Sequence, residues 1–414
     1  MLLRPGVIVA SAGALGVALS HAEKHAPAAF AWAKPLGVVD VSSAQVVLGT
    51  IAGSMLTLLA LVYSVFLVAM TLVSMQYSPR VLAELTGDAL SQIALGMLSG
   101  TFLYALLVLR SVHGDPDAFV APLSVAVAIL FAVSSIGALL LFLHHIAQSI
   151  QANSLIHRLA TATRGVIIEE FPDGPAAATD RGESPFSVAP DGATPITLSV
   201  SGYVQLLDTE GMLALAAAHG VTIELRRAVG EYVVEGVPVG YVSGPSAATV
   251  ARAAPELFDI GPTRTLQQDV EYGFRRIVDI GLKAISPAVN DPSTGVTCID
   301  NVTALLAFAA TRRDPPKVVP SGSGRVLFAR TTFARLVPLA FAQMRQYAQG
   351  DMAVSLRILR GIHDLALLTD EPSRRAALKL EADLLRGSFS SGFLEADRAE
   401  LTRRFDAIDR VLGA

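Results

Sequence analysis

Residues 45–79 contain no Asp, Glu, Lys or Arg, and two more such stretches follow at 89–109 and 118–157. About twenty uncharged apolar residues, wound as a helix, cross the hydrocarbon core of a bilayer. After Arg158 charges return at the density of a water-exposed protein. The pattern predicts an N-terminal membrane domain followed by a large water-exposed half. A mean hydropathy of +0.51 agrees with this, the apolar excess lying in the first third of the chain.

Four transmembrane helices are expected. The first is short, residues 7–19 after Arg4, with a cleaved leader ending at Ser20-His21-Ala22 as the alternative reading. The others cover 42–77, 89–109 and 119–143. With the N-terminus and the C-terminal half inside, Arg4, Arg80, Arg158 and Arg164 lie at the inner face. The outer loops then carry Lys24, Lys34 and Arg110, offset by Glu23, Asp40, Asp115 and Asp117. This is a modest positive-inside bias. Arg80, directly after Pro79, is placed to anchor on lipid phosphates or to couple the membrane domain to an acidic group beyond it. No charged side chain falls inside the expected spans, which argues against a proton relay.

The second helix carries Thr50, Thr57, Ser64 and Thr71 at seven-residue intervals, one slowly drifting face. The third carries Gly96 and Gly100, a spacing that lets helix backbones approach closely. These residues describe either a tightly packed bundle or a stripe lining a wet pathway in an oligomer. His144 and His145 end the fourth helix, but neighbours on a helix point about 100° apart, so they read as interfacial anchors rather than one metal site.

Residues 169–195 are rich in proline and glycine and form a linker. Beyond it, 201–208 reads as a strand, 209–219 as a helix and 221–242 as an alternating β pair. Gly230 to Val239 resembles the hairpin of biotinyl/lipoyl-type barrel-sandwich domains, yet residues 203–250 hold no lysine that could carry a cofactor. A helix is expected over 263–284, another from Asp291 to Ala310, a loop at 315–323, and helices over 326–348, 351–368, 373–387 and 395–412. The predicted organisation is therefore a transmembrane domain with a helical stalk (1–168), a linker (169–195), a small barrel-sandwich-like β module (196–260) and a helical domain (261–414), the last two forming an α+β region.

A net charge of −4 gives no reason to expect nucleic acid. The single cysteine, Cys298, cannot form an internal disulfide and sits in a partly apolar helical context, where a packed thiol is expected. No nucleotide cradle, zinc signature or nucleophile elbow is present, so no catalytic residue, metal or cofactor is assigned. The polar cluster Arg264, Asp269, Asn290, Asp291 and Thr294 has two readings: helix caps and local pairs, or a pocket for a small polar or anionic ligand at a helix start.

Several landmarks occur in order: Gln76-Tyr77-Ser78-Pro79-Arg80, Leu95-Gly96, Gly100-Thr101-Phe102, His144-His145-Ile146, Gly202-Tyr203-Val204-Gln205, Gln268-Asp269 and Ile285-Ser286-Pro287-Ala288-Val289-Asn290-Asp291-Pro292. Together they resemble the bacterial predicted membrane protein family catalogued as domain of unknown function 2254. The first helix is shorter than in typical members. The resemblance implies a multi-pass protein of the bacterial inner membrane and no particular activity. Three functions are weighed: an oligomeric channel-like or scaffold assembly with a cytoplasmic regulatory domain, a membrane-anchored ligand sensor, and a membrane-anchored enzyme. The expected partners are the lipid bilayer, further copies of the chain, and a small ligand or ion.

Overall fold

The computed structural model describes residues 3–36, 40–76, 89–113, 119–149, 151–174, 191–348, 351–388 and 394–413. Arg80 lies outside them, as does most of the expected linker. The chain divides into two compact units, Met1–Ser154 and Leu155–Ala414.

Unit one consists of α1 (Leu3–His25), α2 (Val41–Gln76), α3 (Ala89–Ser111) and α4 (Pro122–Ser149). Helix α3 touches the other three, and its Ala94, Leu98, Tyr104, Ala105 and Val108 are fully buried. Gly96 and Gly100 face α1. A Cβ at Gly100 would stand 3.2 Å from the Ala12 methyl, and one at Gly96 would stand 2.9 Å from Ile8. Gly13 and Gly16 of α1 face Leu103 and Tyr104 in return. Without a hydrophobic drive between helices in lipid, such close backbone contact and buried hydroxyl bonds supply the cohesion. One hydroxyl bond joins Thr101 Oγ1 and Ser135 Oγ at 2.8 Å, between α3 and α4.

Glu23 departs from the expectation that it sits in an outer loop. It belongs to α1, is buried, and its carboxylate accepts hydrogen bonds from the Leu123 and Ser124 amides, both at 2.9 Å, and from the Ser124 hydroxyl. The first turn of α4 has amide donors with no partner inside the helix, and Glu23 meets that need from a hundred residues away.

Unit two begins within α5 (Ala152–Glu170), which packs Leu155, Ile156, Leu159 and Thr163 inward. Its strands are β1 (Thr194–Thr197), β2 (Gly202–Leu207), β3 (Thr222–Leu225), β4 (Tyr232–Val233), β5 (Pro238–Ser243), β6 (Phe258–Gly261), β7 (Val318–Ser321) and β8 (Gly324–Leu327). Helices α6 (Thr209–His219) and α7 (Ala247–Ala253) lie among them. Five strands form one sheet in the order β1-β5-β3-β8-β7, and three form another in the order β4-β2-β6. The β pair expected over 221–242 is the antiparallel β3–β5 ladder. Gly230 to Val239 is not a closed hairpin, because β4 pairs with β2 while β5 pairs with β1 and β3. Residues 318–327 also differ from the expected loop and helix. They form a hairpin turning at Gly322-Ser323, with Gly322 at φ +54°. Its β8 joins β3 in parallel, which buries Val326 opposite Ile223.

The helical part comprises α8 (Val270–Ala284), α9 (Pro292–Ala310), α10 (Phe333–Tyr347), α11 (Met352–Ala366), α12 (Pro372–Ser388) and α13 (Glu395–Leu412). Aspartates start several helices: Asp208, Asp269, Asp291 and Asp351 each accept a first-turn amide. Helix α8 begins at Val270 rather than near Thr263 because Asp269 caps it. Among the described residues, five helices are long and apolar enough to cross a bilayer: α1 to α4 and α9. Unlike the others, α9 carries Asp300, paired with Arg357 of α11, and packs with the amphipathic helices α8 and α11. Cys298 is buried on this helix.

Candidate functional site

Asp269 is buried in unit two, its side chain only 2% exposed. Arg264 grips it with two bonds, Nε to Oδ2 at 2.7 Å and Nη2 to Oδ1 at 2.8 Å. The Tyr272 amide donates to Oδ1 at 2.9 Å, and the Arg264 guanidinium lies 5.3 Å from the Tyr272 ring centre. Gly230, at φ +87°, closes the cluster: a Cβ there would overlap the Asp269 carboxylate. Burial pushes the Asp269 carboxyl above the ordinary carboxylate range, while Arg264 and the Tyr272 amide pull it back. The guanidinium fork is thus already engaged by a carboxylate of its own chain.

Next to Asp269, Gln268 bonds both backbone groups of Leu207 and ties the start of α8 to β2. These residues border a small cavity of about 40 Å³ that is also lined by Glu170 and Arg330. Arg330 Nη1 donates to Glu170 Oε2 at 2.9 Å, and the guanidinium lies 4.7 Å from the Phe328 ring centre. Burial pushes the Glu170 carboxyl up, against the pull of Arg330. Ala228, Phe328, Ala329 and Arg330 also line a second cavity of about 210 Å³. Its charged groups are Glu224, Arg226, Glu231, Lys317, Arg330 and Arg335. Arg226 pairs with Glu224 at 2.8 Å, and Arg335 pairs with Glu271 at 2.5 Å and with Glu231 at 3.4 Å.

Asn290, Asp291 and Thr294 form a separate cluster beyond the other end of α8, a helix of fifteen residues and therefore about 22 Å in length. Asp291 accepts from the Thr294 amide at 3.1 Å and its hydroxyl at 2.6 Å, bonds that hold its carboxyl below the ordinary range. Asn290 adopts φ +52°, alone among the described non-glycine residues, and turns the chain from α8 into α9. The structure therefore brings Arg264 and Asp269 together, and Asn290, Asp291 and Thr294 together, at opposite ends of one helix.

In unit one the hydroxyl stripe faces outward. Leu48, Met55, Val62 and Ala69 are the buried row of α2, also spaced by seven. Thr50, Thr57, Ser64 and Thr71 each come two residues later, about 200° around the helix, and all four are exposed. Thr50, Thr57 and Thr71 turn their hydroxyls onto the carbonyls of Val46, Gly53 and Leu67. Gly96 and Gly100 serve contact with α1 inside the unit.

Glu170, Lys317, Arg330 and Arg335 were not singled out in the sequence, since each belongs to a cluster only through strands and helices far apart in the chain. No group of three His, Cys, Asp or Glu that could hold a metal occurs among the described residues.

The family model described as predicted membrane protein (DUF2254) matches residues 1–364. An uncharacterized protein of Mycobacterium tuberculosis is 31% identical over 367 residues, covering 86% of this chain and 70% of that relative. An uncharacterized protein of Mycobacterium bovis shows the same identity and coverage. No solved structure matches the chain.

Proposed function

This chain belongs to the DUF2254 family of predicted membrane proteins, and from that premise we propose an oligomeric membrane assembly whose water-exposed unit regulates it. Helices α1 to α4 are the spans in this reading, and α9 is a core helix of unit two. Unit two is cytoplasmic at the bacterial inner membrane. Its β module serves as a scaffold, and Arg80 keeps two readings, an anchor on lipid phosphates or a link to an acidic group beyond the membrane.

The observation that carries the assembly is the outward face of α2. There Thr50, Gly53, Thr57, Ala60 and Ser64 alternate at spacings of three and four, small throughout, on the side away from the unit's own core. Gly49 and Gly53 have nothing within 4 Å of where a Cβ would stand. Small residues at such spacing allow a second helix to pack closely. A scaffold needs only this contact, and a channel needs the hydroxyls to border water between copies. A ligand-sensing role is favoured by the two charged cavities that Arg330 borders, the smaller of them lined also by Asp269. Asn290, Asp291 and Thr294 keep a cap role in this reading.

Cysteine cross-linking tests the seam, because the native Cys298 is buried and will not interfere. Thr57→Cys should cross-link between copies in native membranes, and Met55→Cys on the inward face should not. Equal cross-linking at both positions, or a monomeric mass for the solubilised protein, would refute the assembly.

A further inference from the structure

The larger cavity of unit two sets four cationic side chains, Arg226, Lys317, Arg330 and Arg335, against two carboxylates, Glu224 and Glu231. These cations differ in how far they are neutralised. Arg226 lies against Glu224, and Arg335 against Glu271 and Glu231. Lys317 is half-buried and has no carboxylate within 4.0 Å among the described residues.

Arg330 is the charged residue that borders both cavities. Glu170 engages its Nη1, while its Nε is buried without a hydrogen-bond partner among the described residues. The edge formed by Nε and Nη2 is the one that grips an oxyanion with two parallel bonds. A buried donor left unmade costs free energy, which a ligand supplying an acceptor recovers.

We propose that this cavity binds a phosphate group, held by the Nε edge of Arg330 and by Lys317. At about 210 Å³ it takes a phosphate bearing a small organic substituent. The same chemistry is offered by a free phosphorylated small molecule and by a phospholipid headgroup. Arg330 keeps its bond to Glu170 through Nη1 when the ligand engages the opposite edge. The site lies within one protomer and does not depend on the assembly proposed above.

The test uses the full-length protein purified in detergent, titrated with inorganic phosphate at constant ionic strength and followed by calorimetry and thermal unfolding. Saturable binding is expected. Arg330→Gln and Lys317→Gln should each weaken it by about tenfold or more, the loss of one charge-assisted bond. Arg325→Gln removes a charge on β8 outside the cavity and should leave binding unchanged. Because Arg330→Gln also removes a partner of Glu170, the Lys317 variant carries the decision if the Arg330 variant fails to fold. Glycerol 3-phosphate in solution and phosphatidylglycerol in nanodiscs, with phosphatidylcholine as the uncharged control, distinguish the two sources. Binding of either source with loss in the Lys317 variant supports the site. Equal responses to phosphate and chloride, or unaltered binding in both variants, would overturn it. A monomer that still binds phosphate would refute the assembly and leave this site standing.

Discussion

In the N-terminal unit α3 meets α1 at Gly96 and Gly100, where the absence of side chains permits backbone contact. In the C-terminal unit α9 instead ends on a long charged side chain. Arg374, 1% exposed, donates to the Ala310 and Arg312 carbonyls and to Asp314, each at 3.0 Å. Arg312 treats the end of α5 in the same way, bonding Phe171 O at 2.6 Å and Ile168 O at 3.1 Å. Both arginines satisfy carbonyls that a helix leaves open at its C-terminus. The contrast follows from solvent. Water drives amphipathic helices together and leaves polar ends to be closed. Lipid gives no such drive, so contact must come from close packing and from groups such as Glu23 that satisfy a helix start.

The largest effect is expected at Arg374. Arg374→Met removes three bonds and takes the guanidinium away from Asp314, itself only 3% exposed, which keeps the Phe333 amide. Breaking a buried pair in this way costs about 3–5 kcal/mol. Chemical denaturation of the purified protein checks it, and a variant as stable as its parent would show that Arg374 is dispensable to the helical core.

A smaller effect is expected at the glycines, where it depends on the side of the bundle. Gly100→Leu pushes against Ala12 and should destabilise by about 1–3 kcal/mol, as overpacked cores do. Gly53→Leu meets open space in a single copy. It should leave thermal stability of the isolated protomer alone and reduce the assembled mass in light scattering. Equal loss of stability in both variants would erase the distinction between an inner and an outer helix face.

The smallest effect concerns pH. The Glu170 carboxyl is raised from its ordinary value of 4.5 by burial, against the pull of Arg330. The folded protein therefore holds this proton more tightly than the unfolded chain does. Its contribution is complete below about pH 4.5 and is lost as pH rises through the raised folded value. Asp269 acts in the same direction from its ordinary 3.8. Glu170→Gln should flatten the decline of stability with rising pH. If the slope of melting temperature against pH is unchanged, Glu170 is not the buried acid described.

Much of the helical architecture is local information. Asp291 announces a helix start beside an apolar repeat, and α6, α9 and α13 begin and end within a residue or so of where the apolar pattern puts them. The hairpin at 318–327 escaped because Val326 and Leu327 read as the start of the following helix. Its turn, Ser321-Gly322-Ser323-Gly324, was the available signal. The ligand set was only partly legible. Arg264 and Asp269 meet five residues apart, whereas Arg330 meets Glu170 across 160 residues, a distance no periodicity reports.

Membrane character was determined by the sequence alone, because a run of apolar residues has the same affinity for hydrocarbon whatever surrounds it. So was the existence of a seven-residue hydroxyl stripe on α2, which follows from helix geometry. Which way that stripe faces was decided only in the tertiary structure. The row of Leu48, Met55, Val62 and Ala69 has the same spacing, and packing against α3 selected it for burial. The same holds for Glu23, which reads as a loop acid until α4 presents its open amides. Local rules fix what a segment can become. The partner that meets its remaining bonds is supplied by chain that is distant in sequence and near only after folding.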